Sequence, residues 1–477
     1  MSTPNTTTHE SHAYDYDLIV IGSGPAGQKA AVQAAKLGKR VALVERDRFL
    51  GGACVHRGTI PSKTLRENAL RVTRMRANAQ LANFVLPEDL EMSTLIDRLD
   101  DVLKAHDAYM QRQVSRNNIE RIHGRATFKD PHCIEIIKVR GQSEVLTSAQ
   151  ILIATGSYPR TPDNIPVDHE HIYDSDSILS MLYLPKSLTV LGGGVIASEY
   201  ATIFQALGVS VTMIDRYPTP LGFLDSDLTE KFVDSFAAMG GVWQGSTQVE
   251  KVYWDGEHVV TQCVDREAVR SEKLLCAAGR VANTDDLMLD NAGLSLNEQS
   301  LISVNDQLQT SVASIYAAGD VIGPPSLAST SMEQGRRASC NAFDIPVGEM
   351  SQMLPTGIYS IPELSSIGLS EQAARKMHND IIIGKASFEE IARGQISGVQ
   401  EGMLKIICDG NGEKILGVMI VGEGATELVH IGQMAMLSNA HVDIFVTSIF
   451  NFPTLAEAYR VAALAIIGQR NKKQQTF

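Results

Sequence analysis

The chain has 477 residues, 44% of them hydrophobic and 20% charged, and 42 Lys plus Arg against 55 Asp plus Glu give a formal net charge of −13. This is globular material for about three domains, and its acidity sets aside nucleic acid or an anionic membrane surface as the main partner. No stretch reaches the ~18 consecutive apolar residues of a membrane span, and Met1 to His12 reads as a polar, flexible tail rather than a signal peptide. The six cysteines (Cys54, Cys133, Cys263, Cys276, Cys340 and Cys408) show no Cys-x-x-Cys spacing, so a soluble protein of a reducing cytoplasm is expected.

In chain order, Tyr16 to Ile21 is a short buried-strand pattern that runs into Gly22-Ser23-Gly24-Pro25-Ala26-Gly27. An Ala-rich helix over Gln28 to Leu37 follows, closed by Gly38, and then a strand from Arg40 to Val44 that ends in Glu45. About 170 residues later the plan recurs. Ser187 to Leu191 is the strand, Gly192-Gly193-Gly194-Val195-Ile196-Ala197 the turn, and Ser198 to Leu207 the helix. Ser210 to Ile214 is the second strand, ending in Asp215-Arg216. Between the two units Val145 to Ala154 reads as a strand leading into Thr155-Gly156-Ser157. A similar strand-to-loop element, Leu274 to Arg280 with Gly279 in its loop, follows the second unit, and Ser314 to Asp320 ends in a Gly-Asp corner. From about Met350 the pattern changes. Leu404 to Ile407 and Ile415 to Val421 look like antiparallel strands around a turn at 409–412, and helices over Ala425 to Leu437 and Leu455 to Ile467 complete an α+β unit.

Each glycine run carries a specific demand. In Gly22-x-Gly24-x-x-Gly27 the glycines permit a tight turn and close approach of backbone to a pyrophosphate at a helix N-terminus. Glu45, 23 positions after Gly22, suits a ribose hydroxyl pair. Gly192-x-Gly194-x-x-Ala197 is a second such site. Asp215 suits the free 2′-hydroxyl of NAD, whereas Arg216 either reaches a 2′-phosphate of NADP or is a solvated surface charge. Two dinucleotide sites are therefore expected from the residues alone.

The run Gly51-Gly52-Ala53-Cys54-Val55-His56-Arg57-Gly58-Thr59-Ile60-Pro61-Ser62-Lys63 resembles the redox-disulfide segment of the flavoprotein disulfide reductases, whose pattern is G-G-x-C-x-x-x-G-C-I-P-S-K. Two departures matter. Thr59 stands where the second cysteine would be, and a hydroxyl cannot form a disulfide. Near the C-terminus the family reads H-P-T-x-x-E, with His as the acid–base group for thiols, and here Phe452-Pro453-Thr454-Leu455-Ala456-Glu457 puts a residue that transfers no proton in that place. Both parts of the thiol chemistry are lost while both nucleotide sites remain. That combination is similar to the soluble pyridine nucleotide transhydrogenases (the Si-specific NAD(P)+ transhydrogenases), whose C-x-H-x-G-T-I-P-S-K is matched by Cys54, His56 and Gly58 to Lys63. Gly319-Asp320-Val321-Ile322-Gly323, Pro355 to Tyr359 and Phe450 to Arg460 also look like that group.

The resemblance implies two Rossmann-like α/β domains and a C-terminal α+β dimerisation domain. The FAD domain is expected at 1–156 and 280–350, the NAD(P) domain at 157–279 and the interface domain at 351–477. It implies FAD as cofactor and NAD(H) and NADP(H) as substrates. Hydride would pass reversibly between NADPH and NAD+ through the flavin, in ping-pong fashion at one nicotinamide site. Lys63 and Glu199 are carried over as an ion pair beside flavin N5, and Asp320 as a ribitol contact. Thr155, Gly156 and Gly279 are carried over as cofactor-binding loops, with Gly22, Gly24, Gly27, Glu45, Gly192, Gly194, Ala197, Asp215 and Arg216 at the two fingerprints. Cys54 either has an electronic role near the isoalloxazine or is a small buried residue. Thr59 either donates a hydrogen bond to the flavin or fills the cysteine's volume. His56 has no clustered ligands in sequence, so no metal is expected. A homodimer or larger homo-oligomer is implied. An NAD(P)H oxidase or diaphorase, a disulfide reductase using a distant cysteine, and a flavin-bearing sensor without turnover are the alternatives.

Overall fold

The strand Tyr16–Ile21 is buried from Leu18 to its end, which only a sheet covered on both faces can offer such an apolar run. It lies in the middle of a parallel array. Val41–Glu45 pairs with it on one side, Leu18 facing Val41, and the end of Ser143–Ile153 pairs on the other, Ile21 facing Ile153. Glu120–His123 adds to the first edge and Ile315–Ala317 to the second. The first half of Ser143–Ile153 instead pairs antiparallel with Cys133–Ile137, which pairs with Arg125–Asp130. The helices Pro25–Lys36 and Ala328–Ala342 pack against each other, and Gly335 makes that possible: a Cβ there would lie 2.0 Å from the carbonyl oxygen of Ala26.

The computed structural model describes residues 13–82, 92–398 and 401–475. The expected tail at Met1 to His12 lies outside them. The described residues form two compact units. The sheet above belongs to the first, within Met1–Pro61, Asp97–Arg160 and Arg280–Glu349; the second falls within Ser62–Ile96, Thr161–Gly279 and Met350–Phe477.

The second unit holds another parallel sheet, in the order Val242–Gln244, Ser210–Ile214, Ser187–Leu191, Lys273–Cys276 and Ile172–Asp174. The helix Val195–Leu207 follows its central strand and is almost wholly buried, with Tyr200, Ile203 and Phe204 in the core. The same unit contains a five-stranded antiparallel sheet, ordered Thr356–Ile358, Leu364–Gly368, Ile415–Val421, Met403–Asp409 and Ile381–Ser387. Helices Ala425–Leu437 and Glu457–Gln475 pack on it around Val418, Ile420, Val429 and Tyr459. The fold is thus α/β, with two Rossmann-type sheets, joined to a C-terminal α+β sheet and helices.

Both Rossmann helices begin three residues before the sequence pattern suggested, at Pro25 and Val195 rather than Gln28 and Ser198. The last residues of each glycine turn already form the first helical turn, with Gly24 and Gly194 as N-caps. The long helices Thr59–Ala82 and Met92–Arg116 and the strands Thr356–Ile358, Leu364–Gly368 and Ile381–Ser387 are additions to the sequence reading.

Candidate active site: two dinucleotide loops and a buried ion pair

In the first unit the glycine turn is dictated by sterics. Gly22 has φ +101°, and a Cβ on it would meet the Ala154 carbonyl oxygen at 2.4 Å; a Cβ on Gly27 would lie 1.8 Å from the Gly22 oxygen. Gly24 is different, because its missing Cβ opens onto free space. No side chain caps the helix that starts after it, whereas Asp225 and Ser370 cap theirs. The first-turn N–H groups are therefore left to an external anion, which the helix dipole favours.

Glu45 is buried and braces this turn. Its Oε2 accepts from the backbone N–H of Ser23 (2.9 Å) and from Ser23 Oγ–H (2.6 Å), and its Oε1 accepts from the N–H of Asp47 (2.9 Å). One acceptor position remains on Oε1 for a ribose hydroxyl. Asp320 is held from the other side: Arg280 Nε donates to Ser157 Oγ at 2.8 Å, and Ser157 Oγ donates to Asp320 Oδ2 at 2.7 Å. The preceding Gly319 donates its N–H to buried Gln334 Oε1 at 2.9 Å. The Thr155 hydroxyl is buried with no protein partner, and Gly156 beside it has φ +70° with open space where a Cβ would be. A buried hydroxyl without a partner costs free energy unless a ligand satisfies it. A glycine cradle, an uncapped helix, a carboxylate with a spare lone pair and an orphan hydroxyl fit the diphosphate and ribose of FAD. Cys54 lies half-buried in the short helix Gly52–His56, Thr59 opens the next helix, and the His56 ring is 2.7 Å from the Leu50 carbonyl oxygen.

The second unit repeats the turn. Gly192 has φ +120° and sits against the Ala277 carbonyl oxygen, Gly194 opens onto free space, and Ala197 is buried. Asp215 braces this loop as Glu45 braces the first: Oδ2 accepts from the Gly193 N–H and Oδ1 from the Tyr217 N–H at 2.9 Å. Arg216 is exposed beside it. Gly279 has φ +105° and open space at its Cβ position.

The same unit carries a buried carboxylate with a paired cation. Glu199, on Val195–Leu207, is 4% exposed; its Oε2 accepts from Lys63 Nζ at 2.6 Å and its Oε1 from the Tyr359 N–H at 3.0 Å. The Lys63 ammonium also lies 4.9 Å from the centre of the Tyr359 ring, a favourable cation–π distance. The Tyr359 segment is pinned. The Ile361 N–H donates to Thr202 Oγ1, and buried Arg66 donates to the Ser360 carbonyl and to Glu363, which in turn accepts from Thr426. Burial pushes the Tyr359 phenol above its ordinary pKa, so it stays neutral beside Lys63 across the physiological range.

Gly22, Gly24, Gly27, Glu45, Cys54, Thr59, Thr155, Gly156 and Asp320 are thus in the first unit. Lys63, Glu199, Gly192, Gly194, Ala197, Asp215, Arg216 and Gly279 are in the second. Sequence reasoning did not single out Ser23, Ser157, Arg280 and Gln334 in the first unit, or Tyr359 and Tyr217 in the second. Ser23 and Tyr217 were accessible as neighbours of Gly22 and Arg216; Ser157, Arg280 and Tyr359 act across 163, 123 and 160 positions, and Gln334 across 15.

Two braced dinucleotide loops in one chain are the mark of a flavoprotein that works with pyridine nucleotides. The family model described as pyridine nucleotide-disulphide oxidoreductase matches residues 16–335, and the dimerisation-domain model of the same family matches 354–463. The chain belongs to this family. It is an oxidoreductase with FAD as cofactor and pyridine nucleotides as substrates. Similar proteins include a soluble pyridine nucleotide transhydrogenase of Mycobacterium bovis, 41% identical over 463 residues that span 97% of this chain and 99% of the relative. Proteins of that name from Colwellia psychrerythraea (41%, 95% and 98%) and Pseudomonas syringae (40%, 94% and 98%) match as well. Among solved structures, LpdA of Mycobacterium tuberculosis has a TM-score of 0.87 at 25% identity, covering 94% of this chain and 99% of that one. The HOCl-induced flavoprotein disulfide reductase RclA of Escherichia coli has 0.85 at 26%, with the same coverage. Among the described residues no helix is long and apolar enough to cross a membrane.

Proposed function

We propose that this chain is an FAD-dependent transhydrogenase that moves hydride reversibly between NADPH and NAD+, at a single nicotinamide site and without a redox-active disulfide. The observation that carries the reading is the pairing of two complete dinucleotide loops with Thr59 and Phe452 at the two positions where thiol chemistry needs a cysteine and a histidine. FAD, when bound, supplies a carrier that takes up and returns a hydride. The first unit's residues hold and orient it: the Gly22–Gly27 turn for the diphosphate, Glu45 for a ribose, and Asp320, set by Ser157 and Arg280, for the ribitol. In the second unit the Gly192–Ala197 turn takes either pyridine nucleotide, and Lys63, fixed by Glu199, which the Tyr359 N–H holds in turn, offers positive charge on the nicotinamide side. The domains in this reading are FAD-binding over 1–156 and 280–350, NAD(P)-binding over 157–279 and the interface over 351–477. A cytoplasmic location belongs to the same reading, and the six dispersed cysteines, with no disulfide among the described residues, support it.

The test is to mix the FAD-loaded protein with NADPH and thio-NAD+ without oxygen and follow thio-NADH. Fast turnover with parallel double-reciprocal lines, and none on lipoamide or oxidised glutathione, is the expected result. Intersecting lines would remove the shared site, and turnover only with disulfides or oxygen would overturn the reading. Arg216→Ala is expected to raise KM for NADP(H) about tenfold, the scale of a hydrogen bond to a charged group, with a small change for NAD(H). Equal changes in steady-state kinetics would take Arg216 out of that role.

The reading includes a homodimer through the C-terminal domain. Ile449 and Phe452, in the segment between Ala425–Leu437 and Glu457–Gln475, are 97% and 74% exposed. Both lie within 354–463, the stretch matched by the dimerisation-domain model, and the reading assigns them to that contact. With Phe452 in place of a histidine, the contact is structural rather than chemical. Ile449→Asp is expected to sediment as a monomer and to keep its transhydrogenation rate; a monomer without activity would show that each site needs its partner.

A further inference from the structure

We propose that Tyr217 is a positioning residue that sets the preference of the second dinucleotide site between the 2′-phosphate and the free 2′-hydroxyl, by holding Arg216 in place at the rim of the glycine turn. The inference deepens the transhydrogenase reading and rests on it. Arg216 and Tyr217 are both exposed, yet they are joined twice: Arg216 Nη2 donates to Tyr217 Oη at 3.0 Å, and the guanidinium carbon lies 4.9 Å from the tyrosine ring centre. A guanidinium has five N–H donors, so four remain for a ligand after the bond to the phenol.

The tyrosine can serve as a perch because its own backbone is anchored. Its N–H donates to Asp215 Oδ1 at 2.9 Å and its carbonyl accepts from the Ser246 N–H at 3.0 Å. The loop beyond it is tied back as well: Trp243 Nε1 donates to the Pro218 carbonyl at 3.0 Å, and the Leu221 N–H donates to the Gly193 carbonyl at 2.7 Å. The backbone that carries the ring is therefore held beside the glycine turn, and Arg216 rests on that ring before any ligand arrives. Pre-ordering lowers the entropy that a phosphate contact would cost.

The charges explain acceptance of both nucleotides. Asp215 would repel a 2′-phosphate, but each of its oxygens already accepts a backbone N–H, from Gly193 and from Tyr217. The adjacent Arg216 offsets the remaining charge. A 2′-hydroxyl can still donate to Asp215, and a 2′-phosphate can face Arg216.

The experiment uses fragments without nicotinamide, so that hydride chemistry is not read. The FAD-loaded protein is titrated calorimetrically with 2′-phospho-ADP-ribose and with ADP-ribose. Tyr217→Leu is expected to weaken the phosphorylated fragment about two- to fivefold, the scale of an exposed cation–π contact, and to leave ADP-ribose unchanged. In the Arg216→Ala background the same substitution is expected to change neither, since the tyrosine acts through the arginine. Equal weakening of both fragments would make Tyr217 an adenine platform or a loop support, and tighter binding of the phosphorylated fragment would mean that it holds Arg216 away; either result overturns the proposal. If wild-type protein binds neither fragment, the second glycine turn is not the nucleotide site and the functional reading fails first.

Discussion

Lys63→Met is expected to slow the reduction of bound FAD by NADPH about a hundredfold, the scale seen when one pre-organised electrostatic group is removed from a reaction centre. The argument starts from how completely the lysine is held. Its Nζ is 2.6 Å from Glu199 Oε2, and the other carboxylate oxygen takes the Tyr359 N–H at 3.0 Å. Glu199 is 4% exposed, so this is a partly desolvated pair whose field is not screened as a surface pair's would be. Methionine keeps the length and the apolar stem and removes the charge. In the proposed mechanism that charge favours electron density arriving on the nicotinamide side, so its loss acts on the rate and not on FAD retention. Stopped-flow bleaching of the flavin absorbance measures the rate, and the absorbance at rest measures occupancy. Full occupancy with a rate within fivefold of wild type would reduce the Lys63–Glu199 pair to scaffold. Glu199→Gln separates the two parts of the device: its amide oxygen still accepts from Tyr359, while Lys63 loses its counter-charge, so an intermediate rate is expected.

What the sequence disclosed and what it withheld divide along chain separation. The glycine turns were legible because much of their requirement is local: Gly22 and Gly192 take positive φ, and a Cβ on Gly27 would strike the Gly22 carbonyl five positions back. Glu45 and Asp215 were legible as strand-end carboxylates, though their bracing of Ser23 and Gly193 is visible only in three dimensions. Lys63 and Glu199 are 136 positions apart, and they were joined through the family resemblance, not through any pattern of their own. Tyr359 reaches Glu199 across 160 positions, and Arg66 reaches Glu363 across 297. No periodicity encodes such pairs. Lys405 shows the limit most clearly. It lies in the expected strand Leu404 to Ile407, where nothing in the sequence marks it apart, yet its side chain is 0% exposed.

Lys405→Met is expected to destabilise the second unit by about 3–5 kcal/mol, the usual cost of breaking a buried ion pair from one side. Lys405 Nζ donates to Asp225 Oδ1 (2.9 Å), Asp227 Oδ2 (2.6 Å) and Glu371 Oε2 (2.7 Å), so its three donors meet three carboxylates. Asp225 is as buried as the lysine, and its Oδ2 also accepts from the Glu371 N–H at 2.7 Å. Methionine would fill the space but strand that carboxylate. Both tryptophans of the chain, Trp243 and Trp254, lie in this unit, so the denaturant midpoint of their fluorescence reports its unfolding. Adding Asp225→Asn, which keeps a helix cap, is expected to recover part of the loss. The pH dependence fixes the ionic origin. Burial pushes the Asp227 and Glu371 carboxyls up, but hydrogen bonds from Lys385 and Lys405 to Asp227, and from Lys405 and Arg375 to Glu371, outweigh it and hold both below their ordinary values. Burial pushes the Lys405 ammonium down, and its carboxylate partners outweigh that to raise it. Depressed carboxyls contribute stability above their unfolded pKa values near ~4 and lose it as pH falls through the lower folded values; a raised lysine contributes below ~10.4 and loses it as pH rises through its folded value. The contribution is therefore flat from about pH 5 to about pH 10. In the methionine variant the stranded carboxylates gain from protonation, so the gap to wild type narrows as pH falls through the carboxylate range. A gap that stays constant down to about pH 3 would assign the loss to packing instead of charge.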